Sequence, residues 1–193
     1  MAPICASAEN ISVLVVGDSL SAAFNMPVEK GWVHLMRDEL SSRQPTVSIA
    51  NASVSGATTA AGLQFMPAAL AQHKPDIVIL ELGANDGLQG KPLAHIRRNL
   101  ERLIEQALAS DAQVLLVGIR IPPNYGSAYA EPFFAQYAAL ATQYELSLVP
   151  FLLEGVAGVD GLTMSDGLHP RAQAQPIIKN TVLQGLQIIL DAQ

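Results

Sequence analysis

Five short runs of mainly Val, Ile and Leu constrain this chain more than any other feature: Ile11–Gly17, Val47–Asn51, Asp76–Leu82, Gln113–Ile119 and Ser147–Phe151. They are continuous rather than alternating. A strand with one wet face alternates apolar and polar residues, whereas a strand covered on both faces is apolar throughout, as in a parallel sheet flanked by helices. Helical spacing fills the intervals. In Trp32–Leu40, Trp32, Val33, Leu35, Met36 and Leu40 fall on one side. In Leu93–Leu108, apolar residues from Ile96 to Leu108 recur every three to four positions, with Arg97, Arg98, Glu101 and Arg102 toward water. Further helices are expected around Ala60–Gln72, Ala130–Tyr144 and Arg171–Leu190. Strands alternating with helices imply right-handed βαβ units and an α/β fold, a three-layer α/β/α sandwich.

The chain has 193 residues, half of them hydrophobic and 15% charged. That composition excludes intrinsic disorder. The apolar runs fall far short of the roughly 20 residues a membrane span needs. No repeat or low-complexity linker divides the chain, so residues 11–193 are read as one domain. A formal charge of −6 disfavours nucleic acid as a partner. The single cysteine, Cys5, forms no internal disulfide and no metal-type cluster. It lies in residues 1–10, where Ala6-Ser7-Ala8 has the small-x-small form of a signal-peptidase site. That segment reads either as the remnant of a secretory leader or as an unstructured N-terminus.

In open parallel sheets, ligands sit beyond the carboxyl ends of the strands. Three strands are followed there by Gly17-Asp18-Ser19-Leu20-Ser21, Asn51-Ala52-Ser53-Val54-Ser55-Gly56 and Gly83-Ala84-Asn85-Asp86-Gly87. Asp166-Gly167-Leu168-His169-Pro170 precedes the last helix. Together these loops hold the parts of an acyl-transfer site. Ser19 is a candidate nucleophile, with helix-terminal N–H groups expected nearby, and it needs a base to act near neutral pH. His169 is suited to be that base. Asp166, three residues earlier, is close enough on one turn to orient the imidazole. The Ser19 and Gly56 N–H groups and the Asn85 amide are candidate oxyanion donors. Each fragment also has a plainer reading: turn formers after a strand, or a turn ahead of a helix with Pro170 in its first turn. It is their joint occurrence, in order, that favours chemistry.

These blocks resemble the SGNH, or GDSL, hydrolases from about Ile11 to Asp191. The likeness is nearest to the bacterial thioesterase I, lysophospholipase and arylesterase branch, through Asn51-Ala52-Ser53-x-Ser55-Gly56, Glu81-Leu82-Gly83-x-Asn85-Asp86-Gly87, Pro123-Asn124-Tyr125-Gly126 and Asp166-Gly167-x-His169-Pro170. The resemblance implies a flavodoxin-like, five-stranded fold with Ser19, His169 and Asp166 as nucleophile, base and orienter. It assigns the oxyanion hole to Ser19, Gly56 and Asn85. It also implies cofactor-free hydrolysis of small-molecule esters and thioesters, and a periplasmic or secreted location. Ala57 departs from the acidic residue many relatives carry after the block-two glycine, so tuning of that loop is expected.

Asp18 and Asp86 are read as caps of backbone N–H groups. His34, His73 and His95 are read as solvated, and Arg97 and Arg98 as part of a charged face. Loops Gly87–Pro92 and Pro122–Pro132 read as walls or lids for an acyl chain, or as plain connectors. Gly87, Leu88, Ile121, Pro122 and Tyr125 are the candidate substrate contacts. An α/β-hydrolase would show Gly-x-Ser-x-Gly, but Ser21 stands where its second glycine belongs. Nucleotide-binding glycine motifs are missing too. Two alternatives remain: a metal-dependent phosphoesterase using Asp18, Asp86, Asp166 and His169, and a non-enzymatic flavodoxin-like binding module.

Overall fold

Strand pairing begins with the first apolar run. In the computed structural model, which describes residues 10–192, β1 (Ile11–Gly17) pairs in parallel with both β2 (Val47–Asn51) and β3 (Ile77–Glu81). β4 (Gln113–Val117) and β5 (Ser147–Val149) extend the sheet in the order β2-β1-β3-β4-β5, all parallel. The expected leader segment falls, apart from Asn10, outside the described residues.

The helices are α1 (Trp32–Arg43), α2 (Thr59–His73), α3 (Ala84–Leu88), α4 (Leu93–Leu108), α5 (Ser127–Gln143) and α6 (Gln175–Leu190). α1 packs with α6, while α2 packs with α4 and α4 with α5. The chain runs outward from β1 to β2, then reverses from β3 through β5. Right-handed crossovers in opposite directions demand helices on opposite faces, which gives the three layers. All of β3 is buried, its four apolar residues as a strand covered on both faces requires and Glu81 with them.

The strand order reverses beside β1, so the loops after β1 and β3 diverge at the carboxyl edge and leave a crevice between them. Two buried ties hold the β1 loop. Trp32 Nε1 donates to the Leu20 carbonyl at 3.1 Å, and the Trp32 N–H donates to Gln175 Oε1 at 2.9 Å. Both Trp32 and Gln175 are almost wholly buried, so that loop is fixed to the starts of α1 and α6. No helix among the described residues is long and apolar enough to cross a membrane.

Candidate active site

The carboxyl end of β1 delivers Ser19 into a series of turns rather than a helix, with Ala23 and Asn25 at positive φ. The expected helix-terminal N–H groups are therefore turn amides. Facing Ser19 is a tight hairpin closed by the Thr163–Pro170 bridge and by the Met164 N–H donating to the His169 carbonyl at 2.7 Å. Ser19 Oγ lies 2.9 Å from His169 Nε2, and His169 Nδ1 lies 2.7 Å from Asp166 Oδ2. Asp166 Oδ1 accepts the Leu168 and His169 N–H groups at 2.9 and 3.0 Å. Burial alone would raise Asp166, but these N–H bonds and the imidazole outweigh it and hold the carboxyl at about 2. An ionised Asp166 only accepts, so Nδ1 carries the proton and Nε2 is left to receive one from Ser19. The Phe24 ring covers the imidazole, with centroids 4.4 Å apart.

Neither the Ser19 nor the Gly56 N–H has an acceptor among the described residues. Gly56 sits at φ +79, a conformation that favours glycine. Asn85 stands at the start of α3. Its Nδ2 donates to Asp18 Oδ2 and to the Ala57 carbonyl, each at 3.0 Å. Both amide hydrogens are thus engaged, and an acyl oxygen arriving there would share one of them. Gly83, at φ +122, brings this segment down onto the buried Tyr137: a Cβ would stand 2.3 Å from its hydroxyl oxygen.

Three buried carboxyls underlie the site. Asp86 accepts from the Thr59 N–H at 2.7 Å and from Thr59 Oγ1 at 2.8 Å, so it caps the start of α2 from α3. Asp18 accepts the Leu20 N–H as well as Asn85. Burial pushes Asp18 up to about 6, against the Leu20 N–H, the nearby His169 and the Asn85 amide. Glu81 accepts from Ser21 Oγ at 2.6 Å through Oε2, while its buried Oε1 has no partner among the described residues. Burial first, and the Asp18 charge second, push Glu81 well above the usual carboxyl range.

From Ser19 and His169 a groove of about 560 Å³ runs beneath the loops. Of the expected contacts, Leu88, Ile121 and Pro122 line it. Gly87 and Tyr125 do not. Gly87 is buried against Ile121 and Phe133, and the Tyr125 hydroxyl donates to the Leu88 carbonyl at 2.9 Å. The Tyr129 hydroxyl donates to the Lys91 carbonyl at 2.6 Å, so the two loops are bonded together as a wall. The sequence reading missed Arg120, Phe134, Phe151 and Leu153, which also line the groove. Arg120 and Phe151 follow the ends of β4 and β5, the positions that the strand-end rule marks. The Arg120 guanidinium lies 3.7 Å above the Phe134 ring. His34 and His95 are half-buried beside polar partners and His73 is exposed. Arg97 bonds Glu101 and Gln143 on the charged face.

The four groups of the phosphoesterase alternative are committed elsewhere: Asp86 to Thr59, Asp166 to His169, and Asp18 to Asn85 and Leu20. No group of three or more His, Cys, Asp or Glu among the described residues is arranged to hold a metal ion.

A hydroxyl aligned on an imidazole at the mouth of a largely apolar groove places the chain among the serine hydrolases built on open parallel sheets. It belongs to the GDSL-like lipase/acylhydrolase family, which it matches over residues 15–176. It is 46% identical over 179 residues to Esterase TesA of Pseudomonas aeruginosa, covering 93% of this chain and 89% of that protein. Thioesterase 1/protease 1/lysophospholipase L1 of Escherichia coli strain K12 is 38% identical over 180 residues, covering 93% and 85%. The psychrotrophic esterase EstA from Pseudoalteromonas sp., in a structure inhibited by monoethylphosphonate, superposes with a TM-score of 0.90 at 36% identity. That likeness covers 95% of this chain and 100% of the other.

Proposed function

We propose that this chain hydrolyses carboxylic esters and thioesters, among them aryl esters, acyl-thioesters and lysophospholipids, through an acyl-enzyme on Ser19. The observation that carries the reading is the continuous line from Ser19 Oγ through the His169 imidazole to Asp166 at the mouth of an apolar groove. Ser19 Oγ attacks the acyl carbon as its proton passes to His169 Nε2. Asp166 stabilises the imidazolium that forms. The charged acyl oxygen is received by the Ser19 and Gly56 N–H groups and by Asn85 Nδ2. When the C–O or C–S bond breaks, the leaving oxygen or sulfur takes the proton from His169. A water then gives a proton to the same nitrogen, attacks the acyl carbon, and releases the carboxylic acid with Ser19 restored. A periplasmic or secreted location belongs to this reading and is supported by the Ala6-Ser7-Ala8 tripeptide.

The test is hydrolysis of p-nitrophenyl esters from acetate to palmitate, with and without a chelator. Turnover indifferent to the chelator is expected, and turnover abolished by it would favour the metal phosphoesterase. No turnover on any ester would favour the binding module. Asn85→Ala is expected to lower kcat by about a hundredfold or more with a smaller change in KM. A variant within threefold of wild type would remove Asn85 from the oxyanion hole.

The pH profile supplies a second check. A protonated imidazole cannot accept the Ser19 proton, so activity falls on the acid side. Asp18 adds to this limb. Its value of about 6 lies above that of an ordinary carboxyl, so it gains a proton as the pH falls through 6 and ceases to be a full acceptor for Asn85. The fall of log kcat/KM below pH 6 is therefore expected to be steeper than one unit per pH unit. A limb of unit slope would remove Asp18 from the account, and a flat rate down to pH 4 would remove His169.

A further inference from the structure

A second groove, of about 480 Å³, opens beside the hairpin that carries Asp166 and His169, and it shares no lining residue with the first. Met164 and Arg171, from the two sides of that hairpin, line it. So does Asn25, the residue after Phe24, whose ring covers the His169 imidazole. The groove thus flanks the two segments, the hairpin and the Phe24 turn, that hold the His169 imidazole. Its character differs from that of the acyl groove. Lys30 and Arg171 both line it, and its lining includes no carboxylate. The Arg171 N–H donates to the Leu162 carbonyl at 2.8 Å and its Nε to the Thr163 carbonyl at 2.7 Å. One edge of the guanidinium is therefore anchored, and its terminal nitrogens remain available. Neither Lys30 nor Arg171 takes part in an ion pair among the described residues, although the chain carries 17 acidic against 11 basic residues. Glu29 neighbours Lys30 in sequence but lies outside the lining.

Resting on the acyl-transfer reading above, the geometry points to a leaving-group subsite: Lys30 and Arg171 hold a phosphate borne by the alcohol or thiol part of the substrate, while its acyl part occupies the apolar groove. The leaving atom must come to His169 Nε2 to collect its proton, and in this proposal the rest of the leaving group extends from there past Phe24 to the groove that Asn25 lines. A guanidinium with a free edge and a mobile ammonium are the groups that recognise phosphate oxygens. The phosphate is bound there and is not cleaved. Two kinds of leaving group carry such a phosphate: a glycerophosphate headgroup and a nucleotide-bearing thiol.

The test compares wild type with Lys30→Glu, Arg171→Gln and the double variant on substrates sharing an octanoyl chain. Octanoyl-CoA and octanoyl-N-acetylcysteamine are both thioesters, and only the first bears phosphate. Octanoyl lysophosphatidylcholine and p-nitrophenyl octanoate form the matching pair of oxygen esters. The kcat/KM ratio of the phosphate-bearing to the phosphate-free partner is expected to fall by about tenfold or more, mainly through KM, for at least one pair. In wild type the same ratio should fall as salt is raised. A drop confined to the CoA pair identifies the nucleotide-bearing thiol as the source, and one confined to the lysophospholipid pair identifies the headgroup. Lys30→Glu decides the matter, because it leaves the hairpin hydrogen bonds of Arg171 intact. Ratios unchanged in Lys30→Glu for both pairs would overturn the subsite while leaving ester hydrolysis standing. A wild-type chain that cleaves none of the four would overturn the underlying reading instead.

Discussion

Ser19→Ala is expected to lower kcat on any ester by on the order of 10⁵-fold or more, with the fold retained. The size of the loss follows from what surrounds the hydroxyl. His169 Nε2 lies 2.9 Å from Ser19 Oγ, and no other hydroxyl or thiol is hydrogen-bonded to that nitrogen among the described residues. With the oxygen gone, the imidazole can activate only water, and the covalent route closes. Stability should change little, because Ser19 is half-buried and its hydroxyl bonds, among the described residues, only to His169. Matching thermal unfolding curves for the two proteins, alongside the loss of turnover, is the expected pair of results. Near-full turnover in the variant would show that the acyl group is accepted elsewhere.

Asp166→Asn carries the second largest effect, a fall of about 10³- to 10⁴-fold in kcat. The amide oxygen of the variant would still accept the Leu168 and His169 N–H groups that Asp166 Oδ1 accepts now, so the turn survives. The change falls on the other atom. Oδ2 is replaced by an NH₂ group facing Nδ1, where the wild type has a carboxylate 2.7 Å away. The imidazole must then accept at Nδ1 and carry its proton on Nε2, pointing at Ser19. In that tautomer it cannot take the serine proton. The wild-type carboxyl, at about 2, is ionised throughout the working range, so its own titration should not shape the activity profile above about pH 4. Steady-state kinetics on a p-nitrophenyl ester decide the point, and a variant within tenfold of wild type would reduce Asp166 to a turn former.

Much of this was legible in the residues, and the misses have physical causes. The bounds of β1, β2 and α4 follow directly from their apolar runs and helical spacing. The runs ending at Leu82, Ile119 and Phe151 overshoot the paired strands, which stop at Glu81, Val117 and Val149. Ile119 and Phe151 are apolar because they line the groove, and a residue apolar for that purpose looks like strand. α3 has too few residues, and too much glycine, to show a helical period. α5 begins three residues before the expected Ala130 and carries Pro132 within it. The last helix begins only at Gln175, after a single 3-10 turn at Ala172–Ala174.

Ser19, Asp166 and His169, which the structure brings into one hydrogen-bonded line, stood out because each lies in a strand-end or pre-helix loop, and the proposed oxyanion donors Gly56 and Asn85 likewise follow strand ends. The groove did not stand out. Phe134 follows the buried Phe133 on α5, about 100° around the helix, and nothing local separates a groove aromatic from a core one. Glu81 gave a signal that passed unread: an acid inside an otherwise apolar strand is costly to bury. It lies under the Ser19 loop, hydrogen-bonded to Ser21 and close to the charge of Asp18.

The central claim is that the acyl group passes through Ser19, and covalent trapping tests it most directly. The protein is treated with a fluorophosphonate, which reacts with activated serines, and its intact mass and proteolytic peptides are measured. One phosphonyl group per chain is expected, on the peptide containing Ser19, with no adduct in Ser19→Ala and a much slower one in Asp166→Asn. An adduct on another residue, or full labelling of Ser19→Ala, would contradict the account.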